Sequence, residues 1–196
     1  MRYLFVCLLG SLLAPAQQSE DGSGQLSQSG QVTVDGHSVP YRIHRLPVSS
    51  FPDLPEKVAD QLNRRGCLIP QTYAAHHPEN VVQASLERKG SSDWAVLCSA
   101  QGTVSLMVFF ASAPGTPMVL SSAPETRRLQ RHDTSGELGF NWAIDPVLPE
   151  ALYQVRNLDP RPAAIDHDAL ADSMVDRRTV YRFYSHQAWT VMTSSE

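Results

Sequence analysis

The runs WAVLCS (94–99) and VSLMVFF (104–110), separated by AQGT (100–103), decide the fold. The first run is apolar on successive residues, the pattern of a strand buried on both faces. Side chains alternate across a strand, so Trp94, Val96 and Cys98 share one face, with Ala95 and Leu97 on the other. The polar AQGT reads as a turn, which makes the two runs neighbours in an antiparallel sheet. Upstream, VVQASL (81–86) joins the same meander through the turn-like ERKGSSD.

Working outward, the clearest helix precedes the meander. Asp53 and Glu56 stand three apart as a capping pair, Leu54, Val58 and Leu62 fall on one face, and Gly66 follows Arg64 and Arg65 as a stop. The predicted helix runs from about Leu54 to Arg65. Further upstream, Asp35-Gly36 marks a tight hairpin turn between VTV and HSVPYRI, with Pro40 expected at a sheet edge or strand start. Downstream, MVL (118–120) and LQRH (129–132) read as short strands, Pro149 to about Arg156 as a helix, and VYRFY (180–184) with AWTVMT (188–193) as a terminal hairpin. The expected fold class is a single α+β domain over residues 31–196, an antiparallel meander packed against one or more helices, with a C-terminal β-hairpin.

The opening residues set the compartment. MRYLFVCLLGSLLAPA (1–16) has one Arg2, an apolar stretch from Tyr3 to Leu13, and Ala14 and Ala16 flanking Pro15, the pattern of a secretory signal peptide. An eleven-residue apolar stretch reaches only about half of a bilayer's hydrocarbon layer, and no later run approaches the roughly 20 residues a span requires. QQSEDGSGQLSQSG (17–30) reads as a flexible tether. A periplasmic or extracellular destination is oxidising, so Cys67 and Cys98 are expected to pair. A reactive thiol is the competing reading, disfavoured because there is no C-x-x-C pair and Cys98 lies in an apolar run. With the disulfide formed, the helix would pack on the face that bears Trp94.

Composition narrows the function classes. The 196 residues are 42% apolar and 18% charged, enough for a folded core, and 16 Lys and Arg stand against 20 Asp and Glu, a net charge of -4. That balance offers no positive field for a nucleic acid. The G-x-S-x-G, G-x-x-x-x-G-K-[ST], H-E-x-x-H and G-x-G-x-x-G signatures are absent. No cofactor is implied.

The densest polar cluster is Asp166-His167-Asp168, followed by Asp172 and Asp176. Its oxygen and nitrogen donors suit a divalent cation or acid–base work. The plainer reading makes Asp166 or Asp168 a helix N-cap, with 168, 172 and 176 a solvated helical stripe. His76-His77 reads as a loop pair, Arg127, Arg128, Arg131 and His132 as a basic strand edge, and Trp94, Phe109, Phe110, Trp142 and Trp189 as core before any sugar platform.

RGCLIPQ, PENVV, DWAVLC and AIDHDAL, followed by VYRFY and AWTVM, resemble an uncharacterised family of exported bacterial proteins, from about Phe51 onward. The resemblance implies a compact secreted domain; the family has no established activity, so no functional residue is carried over. GSSDWAVL is also similar to one strand of an FG-GAP propeller blade, but it occurs once and lacks the Asp-rich calcium loop. The expectation is an exported, non-catalytic binding or accessory module, its partner an envelope protein or small ligand, acting through an exposed sheet edge or loop. The alternative is a metal-assisted hydrolase that uses Asp166, His167 and Asp168.

Overall fold

The structure, a computed structural model, describes residues 17–20, 26–131, 136–162 and 164–194. The signal-peptide reading of residues 1–16 and the reading of His132 lie outside the described residues. The chain builds two sheets in sequence order. The first contains β1 (Gln17–Glu20), β2 (Leu26–Val34), β3 (His37–Pro47), β4 (Leu68–Gln71), β5 (Val81–Ala84), β6 (Asp93–Ala100), β7 (Thr103–Phe109), β8 (Met118–Pro124), β9 (Leu129–Arg131) and β10 (Leu138–Phe140), with helix α1 (Glu56–Arg64) between β3 and β4. The second contains β11 (Trp142–Val147), β12 (Leu158–Asp159), β13 (Ala169–Met174), β14 (Arg178–Ser185) and β15 (Ala188–Ser194), with α2 (Pro149–Gln154) after β11.

The two central strands behave as their sequence dictates. β6 pairs antiparallel with β5 and β7, and its first seven residues are all buried. Trp94, Val96 and Cys98 pack with Val58 and Leu62 of α1, while Ala95 and Leu97 pack on the opposite face with Leu106, Val108 and Phe110. Cys67 and Cys98 form a disulfide with their Cα atoms 5.1 Å apart, within the usual bridging range. Disulfides persist outside the reducing cytoplasm. No helix among the described residues is long and apolar enough to cross a membrane.

Helix α1 begins later than its sequence suggests. Leu54 precedes Pro55, and a residue before proline is pushed out of the α region. Pro55 therefore becomes the N-cap, its carbonyl accepting from the amides of Val58 and Ala59 at 2.9 and 3.0 Å, and no side chain caps the helix. The far end matches the expectation. Gly66 has φ +67, its N–H donates to the Asn63 carbonyl, and the Cys67 N–H reaches back to Leu62 at 3.0 Å. This paired closure delivers the chain to Cys67.

The α+β class is corrected to a β-rich fold of two sheets: among the described residues the α-helices are nine and six residues long against fifteen strands. The terminal hairpin β14–β15 forms as expected, antiparallel up to Ser185 and Ala188, and is built into a second sheet ordered β11-β13-β14-β15-β12. The chain changes sheets at Asn141, between β10 and β11, with its side-chain amide bonded to Gln130 and to the Val175 carbonyl. One core lies between the sheets, a second under α1, and a third beneath α2 on the outer face of the second sheet, around Leu152, Phe183 and Met192.

The residues read as a tether are paired where they are described. Gln17–Glu20 aligns antiparallel with Leu26–Ser29, and β2 continues against β3 to the Asp35-Gly36 turn. Asp35 and Gly36 both have positive φ, 50° and 80°, as a two-residue hairpin turn requires. Ladder hydrogen bonds are formed by the backbone whatever the side chains, so a Gln/Ser composition does not reveal them. On the side of β3 away from β2, β10 pairs at Tyr41–Arg42 and β4 from His44, so Pro40 lies where that second side is open.

Candidate functional site

The Asp166-His167-Asp168 cluster divides. Asp166 is exposed, and its carboxylate accepts from Nδ1 of buried His167 at 2.6 Å. This hydrogen bond holds the Asp166 carboxyl below the usual carboxylate range. The other ring nitrogen, Nε2, lies 2.8 Å from the Tyr184 carbonyl, and the ring stacks on Phe183 at 4.5 Å. Asp168 turns elsewhere: its Oδ2 accepts from the Ser85 N–H at 2.9 Å and its own N–H donates to the Ser85 carbonyl at 3.0 Å. Among the described residues no group of three or more His, Cys, Asp or Glu is placed to hold a metal ion.

The helical stripe is corrected as well. Residues 169–174 are strand β13, Asp172 is buried between the sheets, and Asp176 sits in the following turn with φ 59°. The basic edge splits likewise: Arg127 and Arg131 are exposed, whereas Arg128 is buried. The aromatic residues point inward, Trp94 and Phe109 beneath α1, and Phe110, Trp142 and Trp189 between the sheets. His76 and His77 are exposed on the loop that precedes β5.

That loop leads to a surface the sequence does not mark. β5 pairs with β6 on one side only. The Asn80 carbonyl accepts from the Leu97 N–H at 3.0 Å, so the backbone groups of residues 80, 82 and 84 face β6. Those of Val81, Gln83 and Ser85 consequently face outward. Ser85 is taken by Asp168. The outward N–H and C=O groups of Val81 and Gln83 have no partner among the described residues.

A cavity flanks this edge on each face of the sheet. On the α1 face, about 400 Å³ is lined by residues that include Phe51, Asp53, Leu54, Gln83 and Trp94. Between the sheets, about 380 Å³ is lined by residues that include His77, Glu79, Val82, Ile144 and Asp145. Pro78 and Val81 border both, and neither lining contains Lys or Arg. The neighbouring edge of β11 is closed by Asn80, whose Nδ2 donates to the Pro70 and Trp142 carbonyls at 2.7 and 3.1 Å and whose Oδ1 accepts from the Ile144 N–H at 3.1 Å. Pro146, the next residue of that parity, has no N–H to offer.

Open edges are properties of topology, so no local pattern in VVQA distinguishes β5 from an internal strand. No protein-family model, curated protein or solved structure matches this chain.

Proposed function

We propose that this chain is an exported, non-catalytic binding module that holds an extended segment of a partner against the open edge of β5. The observation that carries this reading is the pair of residues Val81 and Gln83, whose outward backbone groups lie unbonded between two cavities on opposite faces of the sheet. An added strand gains affinity from main-chain hydrogen bonds and specificity from sites that receive its alternate side chains. The Cys67–Cys98 disulfide supports action outside the cytoplasm.

The reading is tested with peptides selected on the purified protein from an unbiased displayed library. Binding is expected to slow hydrogen exchange at the Val81 and Gln83 amides, and to be lost when the edge-facing amides of the peptide are N-methylated. Gln83→Pro should abolish binding while leaving the far-ultraviolet circular dichroism intact, because the Gln83 N–H makes no bond to β6. Selected peptides that bind without protecting either amide, or that tolerate N-methylation, overturn the proposal.

A further inference from the structure

The side chains around the β5 edge also define what kind of segment fits it, an inference that rests on the reading above. A strand laid beside β5 alternates its side chains between the two faces of the sheet. One residue therefore enters the cavity formed with Phe51, Leu54 and Trp94, and its neighbour enters the cavity between Val82 and Ile144. Each cavity reaches apolar side chains of a core: Leu54 and Trp94 belong to the core under α1, Ile144 to the core between the sheets, and Val82 packs against the latter.

The rims are acidic. Asp53 borders the first cavity, and Glu79 and Asp145 border the second. Asp53 and Asp145 are exposed and have no ion-pair partner among the described residues. The Glu79 carboxylate accepts from the Thr72 hydroxyl at 2.8 Å. With three carboxylates and no Lys or Arg in either lining, the edge favours a cationic visitor and disfavours an acidic one. The same charges oppose a second copy of this chain, since pairing two β5 edges about a two-fold axis would bring these carboxylates towards their own counterparts.

We infer that the partner segment is an extended cationic peptide in which two adjacent apolar residues, one for each cavity, are flanked by Lys or Arg. The adjacent pair supplies one side chain to each face, and the flanking cations reach the Asp53 and the Glu79–Asp145 rims. Rim pairs of this kind act mainly on association rate and selectivity, and salt weakens them.

The test compares the peptides KTVLTK and ETVLTE, both blocked at their termini, by isothermal calorimetry or fluorescence anisotropy at low and at physiological salt. The basic peptide is expected to bind about tenfold more tightly at low salt, with the margin narrowing as salt rises. Asp145→Asn and Asp53→Asn should each reduce that margin about two- to threefold and leave the weak binding of the acidic peptide unchanged or improved. Equal binding of the two peptides, both abolished by Gln83→Pro, overturns the charge inference while the edge-binding reading survives. Failure of both peptides, when library-selected peptides still protect Val81 and Gln83, likewise overturns only the inference. A concentration-dependent dimer in sedimentation that Gln83→Pro dissolves makes a second copy the occupant and also overturns it. If no peptide of any composition protects the two amides, the underlying reading falls with it.

Discussion

Arg128 holds its guanidinium carbon 4.2 Å from the ring centroid of Trp142, close to where the chain passes from one sheet to the other. Asp172 completes the group. It accepts from the Trp142 indole N–H and from Nη2 and Nε of Arg182 at 2.8 and 3.2 Å, while Nη1 of Arg128 lies 3.8 Å from its other oxygen. Asp172 is 2% exposed and Arg128 5%. Burial pushes the Arg128 pKa down, and the Asp172 charge opposes that shift. Removing one member of a buried ionic group leaves the others uncompensated. Asp172→Ala should therefore cost about 3–5 kcal/mol, read as a lower urea midpoint. A loss under about 1 kcal/mol would place the group among surface ion pairs in energetic weight and refute this account.

The disulfide closes a loop of sequence separation 31 between the exit of α1 and the centre of the first sheet. The chain-entropy treatment gives about 3.5–4 kcal/mol for a loop of that length. Replacing both cysteines with Ala should destabilise the protein by about that amount without changing the strand signal in circular dichroism. A chemical-denaturation curve that superimposes on the unreduced parent's contradicts it.

Asn80 joins the two sheets through one side chain, bonded to Pro70 of β4 and to Trp142 and Ile144 of β11, and its backbone has φ +69°. Three hydrogen bonds at about 1 kcal/mol each set the scale for Asn80→Gly, which keeps the backbone geometry accessible. Asn80→Ala should lose the same bonds and a further 1–2 kcal/mol or so, from the left-handed conformation. Equal stabilities for the Gly and Ala variants in guanidinium titrations would deny the backbone contribution.

The legible part of this fold is the part governed by local pattern. The two-faced burial of β6, the pairing of Cys67 with Cys98, the Gly66 stop and both tight hairpins follow from alternation, thiol count and turn chemistry. The second sheet was hidden because ALADSM (169–174) is rich in residues that favour helices, and Asp168, Asp172 and Asp176 keep helical spacing. Pairing with β11 and β14, together with the Arg182 and Trp142 contacts to Asp172, overrides that preference. The β5 edge was hidden for a different reason: VVQA resembles any half-buried strand, and only the placement of β4, β6 and β11 leaves it open.

Gly30 and Tyr41 face each other across β2 and β3. A Cβ at Gly30 would lie 2.8 Å from the Tyr41 hydroxyl oxygen and 2.9 Å from two carbons of its ring, closer than side chains approach, and Tyr41 is itself buried against the core between the sheets. The glycine thus lets the ring lie across the neighbouring strand. Gly30→Ala should cost about 1–3 kcal/mol from overpacking, and Gly30→Ala with Tyr41→Val should recover part of it. A double variant no more stable than the sum of the single losses would rule out the steric coupling.

The Asp166–His167 contact makes stability depend on pH in a fixed direction. Nδ1 of His167 lies 2.6 Å from the Asp166 carboxylate, and Nε2 lies 2.8 Å from the Tyr184 carbonyl. The Asp166 carboxyl is held below its ordinary range chiefly by the hydrogen bond to His167. A carboxyl whose pKa is depressed on folding stabilises the native state above its unfolded pKa of about 3.9, and the contribution disappears as pH falls through the depressed folded value. Asp166→Asn should therefore be less stable than the parent near neutral pH, and the two stability curves should converge in acid. Because Asp166 is exposed, raising the salt concentration should shrink the gap at neutral pH. Urea midpoints measured at several pH values between acid and neutrality, at low and high salt, decide the matter: a gap that persists undiminished in acid would show that the side chain acts through something other than its charge.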